Sequence, residues 1–319
     1  MKKILIAISI GLLACSAAFC APDKEAKERT IVWVNPLTGH PVYLMQEEAF
    51  GWAAKDYGFK PISVGPSQID AENMVREIEN AIAQKVDGII TVPFNWSAFQ
   101  SVYDQAKKAG IPIVNTGADT PAEWRLAFIG TDNKAFGRDA ARILIEKKKG
   151  KANICIMMSQ LDIQNQVEQK QAFEEALKAS PDMKVTVVEA DKADMSLAVQ
   201  KFEEVFKAYP QIDTVWMLEA TGGVAAAKVA AEMGIANSIT ILAIDDVQQT
   251  VDEIRKGRIW GTLAQNFYRM GYEAAGFIMA HYAHQEVPAS TDSKTTLVTQ
   301  ENVESYKKEM IASVKKKNP

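Results

Sequence analysis

The chain has 319 residues, of which 47% are hydrophobic and 24% charged, and a formal net charge of −4. This is ordinary globular composition with room for two domains, and it excludes a collagen-like or low-complexity chain. A mildly acidic balance supplies no basic surface for nucleic acid or for an anionic membrane, so no nucleic-acid partner is expected.

Met1-Lys-Lys, the apolar run 4–14 and the small residues Ser16, Ala17 and Ala18 form the three zones of an export signal. The run is shorter than the ~20 residues a membrane-spanning helix needs. Cleavage before Ala21 makes 1–20 a signal peptide and sends the mature protein to the periplasm. Alternatively, Leu12-Leu-Ala-Cys15 resembles a lipobox, in which Cys15 would be the lipidated first residue, anchoring the protein at the outer face of a membrane. Leu13 is bulky for that motif, which favours the soluble product. Residues 21–29 are charged and without apolar periodicity, and read as a linker.

The first strand is expected over 30–34, followed by a loop over 35–41 that Pro36, Gly39 and Pro41 force out of regular structure. A helix over 42–57 carries Met45, Ala49, Trp52 and Ala53 on one stripe, read as core, and Gly58 stops it. After a strand over 59–64, Asp70 caps a helix whose apolar positions Met74, Ile78 and Ile82 recur every four residues. The unbroken apolar run 86–92 is what a strand covered on both faces requires. The alternation continues with a helix over 97–109 and strands over 111–115 and 127–129. Next come a helix from Asn133 with Asp132 and Asn133 as caps, a strand over 153–158 holding Cys155 as a small buried hydrophobe, and a helix ending at Ala179. A strand over 184–189, a helix over 194–209, a strand over 214–218, a helix over 223–233 and a strand over 239–244 follow. The tail adds a strand over 258–265, a helix over 268–281, a short strand over 295–298 and a polar helix.

Two halves of this series read alike, on either side of a crossing over 128–137. Each half places Ala-Phe inside an amphipathic helix, at Ala49-Phe50 and at Ala172-Phe173. Each also runs an Asp-led strand into a helix that ends at a glycine, at Asp87 to Gly110 and at Asp213 to Gly234. Strands alternating with helices make βαβ units, and right-handed crossovers make a doubly wound parallel sheet of each half. The fold class is therefore α/β, with two similar doubly wound lobes. A chain that finishes by adding elements to both must cross more than once, giving a multi-stranded hinge. The expected division is 30–131 with 266–293 in the N-terminal lobe and 132–265 with 294–316 in the C-terminal lobe. Ligands of such sheets sit beyond the carboxyl ends of the strands, here in the cleft between lobes.

Catalytic and cofactor signatures are absent from the sequence. There is no GxxxxGK[ST] phosphate loop, Gly222-Gly223 is a poor dinucleotide fingerprint, and no GxSxG elbow or nucleophile with an evident base occurs. His281 and His284 lack partners at metal-ligand spacing and read as surface. No cofactor, no metal and no enzyme activity are expected. The strand ends instead supply His40, Tyr43, Asn95, Asn115, Glu219, Asp245 and Gln265 with Asn266. Amides and carboxylates take paired hydroxyl groups, and an aromatic ring covers the apolar face of a sugar, so this mixture suits a small carbohydrate.

Several segments together carry a family resemblance: Pro41-Val-Tyr43, Lys85-Val-Asp-Gly-Ile-Ile90, Ala109-Gly-Ile-Pro-Ile-Val114, Gly130-Thr-Asp-Asn133, Ala243-Ile-Asp-Asp246 and Ala264-Gln-Asn-Phe-Tyr-Arg-Met-Gly271. From Thr30 to Thr299 the chain resembles the periplasmic sugar-binding proteins of ABC importers, in the group of ribose- and galactose-binding proteins. The resemblance implies the type I periplasmic binding fold, capture of a sugar between the lobes and delivery to an ABC transporter permease, by a protein that is a monomer. It places sugar contacts on His40, Val42, Tyr43, the 115–118 turn, Gln169, Glu219, Asp245 and Gln265. Relatives often carry Asp-Arg where this chain has Gly117-Ala118, and Arg where it has Gln169. With two site carboxylates and no assigned cation, the expected ligand is a neutral monosaccharide, deoxy sugar or polyol, with an amino sugar as the alternative. The same fold also serves in ligand sensors that partner a chemoreceptor or sensor kinase, and in LacI-type effector domains, whose helix-turn-helix is replaced here by the export signal.

Overall fold

The computed structural model describes residues 28–315; the signal peptide, Cys15 and all but the last two residues of the linker lie outside them. Of those two, Arg29 already opens the first strand, β1 (Arg29–Val34). The chain then alternates through α1 (Pro41–Tyr57), β2 (Phe59–Val64), α2 (Ala71–Ala83), β3 (Gly88–Thr91), α3 (Trp96–Ala109), β4 (Ile113–Thr116) and β5 (Ala127–Gly130). It crosses into α4 (Asn133–Lys148), β6 (Ala152–Met158), α5 (Gln164–Leu177), β7 (Met183–Ala190), α6 (Met195–Ala208), β8 (Thr214–Met217), α7 (Gly222–Glu232), β9 (Thr240–Ile244), α8 (Gln248–Arg255) and β10 (Gly261–Gln265). The last elements are α9 (Phe267–Tyr282), β11 (Ser290–Asp292), β12 (Thr295–Thr299) and α10 (Tyr306–Lys315).

Two six-stranded sheets result, ordered β11-β5-β4-β3-β1-β2 and β12-β10-β9-β8-β6-β7. The first is parallel throughout, whereas in the second β12 runs antiparallel to β10. Neighbouring strands end nearly level: Val34 pairs with both Val64 and Thr91, and Trp216 with Leu242. The loops that leave their carboxyl ends therefore emerge along one edge of each sheet, which is where α/β proteins place their sites.

Local chemistry accounts for the helix boundaries. Asp70, Asp132 and Asp194 each accept the amide of the third residue onward, at 3.0, 2.8 and 2.8 Å, satisfying donors the helix cannot. Asp132 is thus the cap read from the sequence, while Asn133 is the first helical residue and bonds Glu168 and Gln169 instead. Pro41 starts α1, and Gly58 ends it in the left-handed conformation. Two helix pairs approach closely through a glycine: a methyl on Gly137 of α4 would lie 2.1 Å from the Gln169 carbonyl, and one on Gly271 of α9 would lie 2.1 Å from that of Gln46. Gln46 and Gln169 occupy matching positions, three residues before Ala49-Phe50 and Ala172-Phe173, so the internal repeat extends to the way α1 meets α9 and α4 meets α5.

One face of the first sheet packs on α2 and α3 through Val32, Val34, Met74, Ile78, Ile89, Phe99 and Val102. The core on its other face continues without a break into that of the second lobe. Burial of each large aliphatic or aromatic side chain contributes about 1.5–3 kcal/mol. Cys155 is part of this core, its thiol pushed up to about 12 by burial and then by Glu189, so it is inert.

Three chain segments join the lobes, after β5, after β10 and between β11 and β12. They are tied to one another: Ser293 donates its amide to the Gly130 carbonyl at 2.7 Å, and Asn266 donates to the Lys294 carbonyl at 3.1 Å. Arg269 adds a bond to the Asp292 carbonyl at 3.1 Å.

Candidate ligand-binding site

Asp245 follows the last residue of β9 and has a φ of +62°, a left-handed conformation uncommon outside glycine. Such strain persists only where the surroundings hold it. Here its amide donates to the Leu263 carbonyl at 3.0 Å and its carbonyl accepts the Thr262 hydroxyl at 2.7 Å, so β10 clamps the backbone. Gln265, the last residue of β10, donates its side-chain N–H to Asp245 Oδ1 at 2.8 Å. The Gln265 oxygen accepts the hydroxyl of Thr131, which comes from the end of β5 in the other lobe.

Burial pushes the Asp245 carboxyl up to about 7, against the pull of the Gln265 hydrogen bond, and the charges of Asp246 and Glu219 push it further. Tyr43, on the first turn of α1 in the opposite lobe, is pushed up to about 12, by burial first and by the Asp245 charge second. The Asp245 charge is thus felt at Tyr43 across the junction of the lobes. The His40 ring centroid lies 5.4 Å from that of Tyr43. Its Nδ1 is buried without a hydrogen-bond partner, and burial lowers its pKa, so the imidazole is neutral near pH 7.

Glu219 also lies at this edge, but its oxygens are engaged. They accept the Thr221 amide at 2.8 Å, the Thr221 hydroxyl at 2.7 Å and the Gly222 amide, which caps α7 with a carboxylate at the positive end of its dipole. Asp191, just beyond β7 and fully buried, accepts the Ala193 amide at 2.9 Å with one oxygen while the other has no donor. That second oxygen and Glu219 Oε1 converge on Gly222, where an added methyl would sit 2.8 and 2.5 Å from them. Burial, then Glu219, pushes the Asp191 carboxyl up to about 7, so the pair holds a proton under mildly acidic conditions.

The remaining expected residues are placed differently. Gln169 is buried in α5; its amide N–H donates to Asn133 at 3.1 Å and its oxygen has no partner. Asn115 is fully buried inside its lobe, accepting the Tyr103 hydroxyl and donating to Asp119 at 3.2 Å and to the Thr120 hydroxyl at 2.9 Å. It shapes the 116–120 turn from within. Asn95 is exposed ahead of α3 and accepts the Ser97 hydroxyl at 3.0 Å. Its neighbours Phe94 and Trp96 are exposed too, with Trp96 edge-on to Trp124 at 5.6 Å. Trp52 stacks on Tyr268 at 5.4 Å as part of the packing of α1 on α9.

Sequence reasoning missed Asp191, Thr131 and Gln46. Gln46 accepts the Thr116 hydroxyl at 3.1 Å and is the counterpart of Gln169, so extending the Ala-Phe repeat by three residues finds it. Thr131 carries no signal of its own, since a threonine before a capping Asp is an ordinary turn residue. Arg125 and Arg138, the arginines flanking the crossing in sequence, do not pair with the carboxyls of the site. Arg125 grips both oxygens of Asp119, at 2.5 and 2.6 Å, and Arg138 is exposed on a groove of about 340 Å³ between α4 and α5. No lysine or arginine among the described residues pairs with Asp191, Glu219 or Asp245.

Residues 31–286 match the periplasmic binding protein domain family, and the chain belongs to that family. Among its relatives is the xylitol-binding protein of Mycolicibacterium smegmatis, 25% identical over 269 residues that cover 82% of this chain and 73% of the relative. Among solved structures, the glucose-galactose binding protein GanP of Geobacillus stearothermophilus superposes with a TM-score of 0.80 at 27% identity, covering 87% of this chain and 99% of its own. A solute-binding protein of an ABC transporter from Burkholderia graminis, in complex with D-arabinose, gives a TM-score of 0.81 at 26% identity over 89% of this chain and 99% of its own. The two-lobed fold expected from the sequence is thereby established as that of the periplasmic binding proteins.

Proposed function

We propose that the protein is an extracytoplasmic solute-binding protein that captures a small neutral sugar or polyol between its lobes and delivers it to an ABC importer, without chemical conversion of the ligand. The observation that carries this reading is the Tyr43–Asp245–Gln265 group, in which a carboxyl and an amide hydrogen-bonded to each other in one lobe lie within electrostatic reach of an aromatic side chain from the other. Xylitol, glucose, galactose and arabinose, named for its relatives, share vicinal hydroxyls that such a carboxyl and amide bind in pairs. His40 and the unpartnered oxygen of Gln169 are the further contacts, each with an open hydrogen-bonding position. Glu219 acts on the ligand through Asp245 and the α7 cap, while Asn115 and Asn95 shape the turns around the cleft. The division into 30–131 with 266–293 and 132–265 with 294–316 is part of this proposal.

Charge selects the ligand. Three carboxyl groups stand together without a cation, so an anionic sugar would add a like charge at low dielectric, at a cost of several kcal/mol. Titration with D-arabinose, D-galactose, xylitol and D-galacturonic acid, followed by tryptophan fluorescence, tests this. A neutral member of the set should bind at micromolar concentration or tighter and the uronic acid at least tenfold more weakly than its parent. Tighter binding of the acid would refute the neutral-ligand reading.

A further inference from the structure

We propose that Thr131 is a positioning residue: from one lobe, its hydroxyl fixes the carboxamide of Gln265 in the other, so that the amide N–H faces Asp245 and the cleft. The inference rests on the reading of Asp245 and Gln265 as the ligand-facing pair. A carboxamide can present either its acceptor or its donors to a neighbour, and rotation by half a turn exchanges them. An ionised Asp245 accepts only, so its partner must be N–H, and the opposite orientation would set oxygen against oxygen. Thr131 is buried, and its hydroxyl donates to the Gln265 oxygen. With the oxygen so occupied, one N–H points at Asp245 at 2.8 Å and the other is left for a ligand.

The anchor sits where the lobes meet. Thr131 directly follows β5 and lies between Gly130, whose carbonyl accepts from Ser293, and the α4 cap Asp132. The hydrogen bond therefore links the orientation of the donor to the geometry of the hinge, and a change of hinge angle would loosen the amide. The groups facing Asp245 make this matter. Asp246 from its own turn and Glu219 from just beyond β8 disfavour its charge, Tyr43 of α1 is a neutral phenol, and the Gln265 hydrogen bond favours the charge.

The test requires no ligand, so its outcome is independent of whether the protein binds sugar. In the ligand-free full chain, carbon-13 NMR of the side-chain carboxyls follows the titration of Asp245, assigned by its loss in Asp245→Asn. Thr131→Val and Thr131→Ala should each raise the Asp245 midpoint by about one unit, the size expected when a hydrogen bond to a charged group is lost. Thr131→Ser should restore it. In a Gln265→Ala background, where the amide is already gone, Thr131→Val should shift nothing further. An unchanged midpoint in the hydroxyl-free variants, an equal shift in the Gln265→Ala background, or no rescue by serine would each overturn the proposal.

Discussion

Asp245 combines a left-handed backbone, a half-buried, desolvated carboxyl and two acidic neighbours, Asp246 and Glu219, a set that costs the empty protein stability. Asp191 is in the same position beside Glu219. Both carboxyls are raised from 3.8 to about 7, so folding takes up protons between those values. The stability they contribute is complete below about pH 4 and is lost as pH rises through 7. His40 acts in the opposite sense below its unfolded value near 6.5, since it is held neutral in the fold, but it is one group against two. The melting temperature of the ligand-free protein should therefore fall between pH 5 and pH 8, and Asp245→Asn should flatten part of that fall while removing sugar binding. Calorimetry across this range checks both, and a melting temperature that rises toward pH 8 would show that these carboxyls are ionised in the fold at little cost.

Among the elements, the close approach of α4 to α5 and of α1 to α9 makes the clearest demand on sequence. Alanine at Gly137 or Gly271 would place a methyl 2.1 Å from a backbone carbonyl that cannot swing away, so each helix pair must part. Overpacking of this kind costs about 1–3 kcal/mol, more than alanine's gain of about 1 kcal/mol in helix propensity. A loss of several degrees in melting temperature is expected for Gly137→Ala and for Gly271→Ala, against little change for alanine at Gly51, which has open space. Equal stability of all three would mean that the pairs have slack. The Ala-Phe repeat could be read before the structure, as could the strands with unbroken apolar runs, whereas the demand on Gly137 and Gly271 appears only once the helices are packed. By contrast β11, Ser290-Thr-Asp292, has no apolar residue and exists only because β5 offers it an edge. The short α8 has Val251 and Ile254 as its buried apolar residues, too few to show a period. The strand expected over 258–265 is shorter, since Ile259 is buried without pairing and β10 begins at Gly261. The antiparallel direction of β12 follows from topology and not from any residue in it. At the candidate site, Tyr43, Asp245 and Gln265 could be proposed from the sequence because they follow strands or open a helix. Asp191 was hidden because it approaches Glu219 across the intervening end of β6, a pairing that only the sheet order reveals.

At the scale of the molecule, the two lobes share a hinge of three segments and a strap formed by α10. Tyr306 donates its hydroxyl to Asp246 at 3.0 Å, while Lys307 lies 5.6 Å from the Tyr268 ring, which stacks on Trp52. These ties join the lobes near the hinge, and hinge closure is the motion such an architecture permits at small energetic cost. A ligand held by Tyr43 on one side and by Asp245 and Gln265 on the other interacts fully with the closed form alone, and shifts the population toward it. The most direct measurement is small-angle X-ray scattering of the protein stripped of ligand and then saturated with the sugar identified by mass spectrometry, with saturation verified by tryptophan fluorescence. The radius of gyration should fall on saturation in the unaltered protein and stay constant in Asp245→Ala. An unchanged radius at proven saturation would contradict capture by closure of the two lobes.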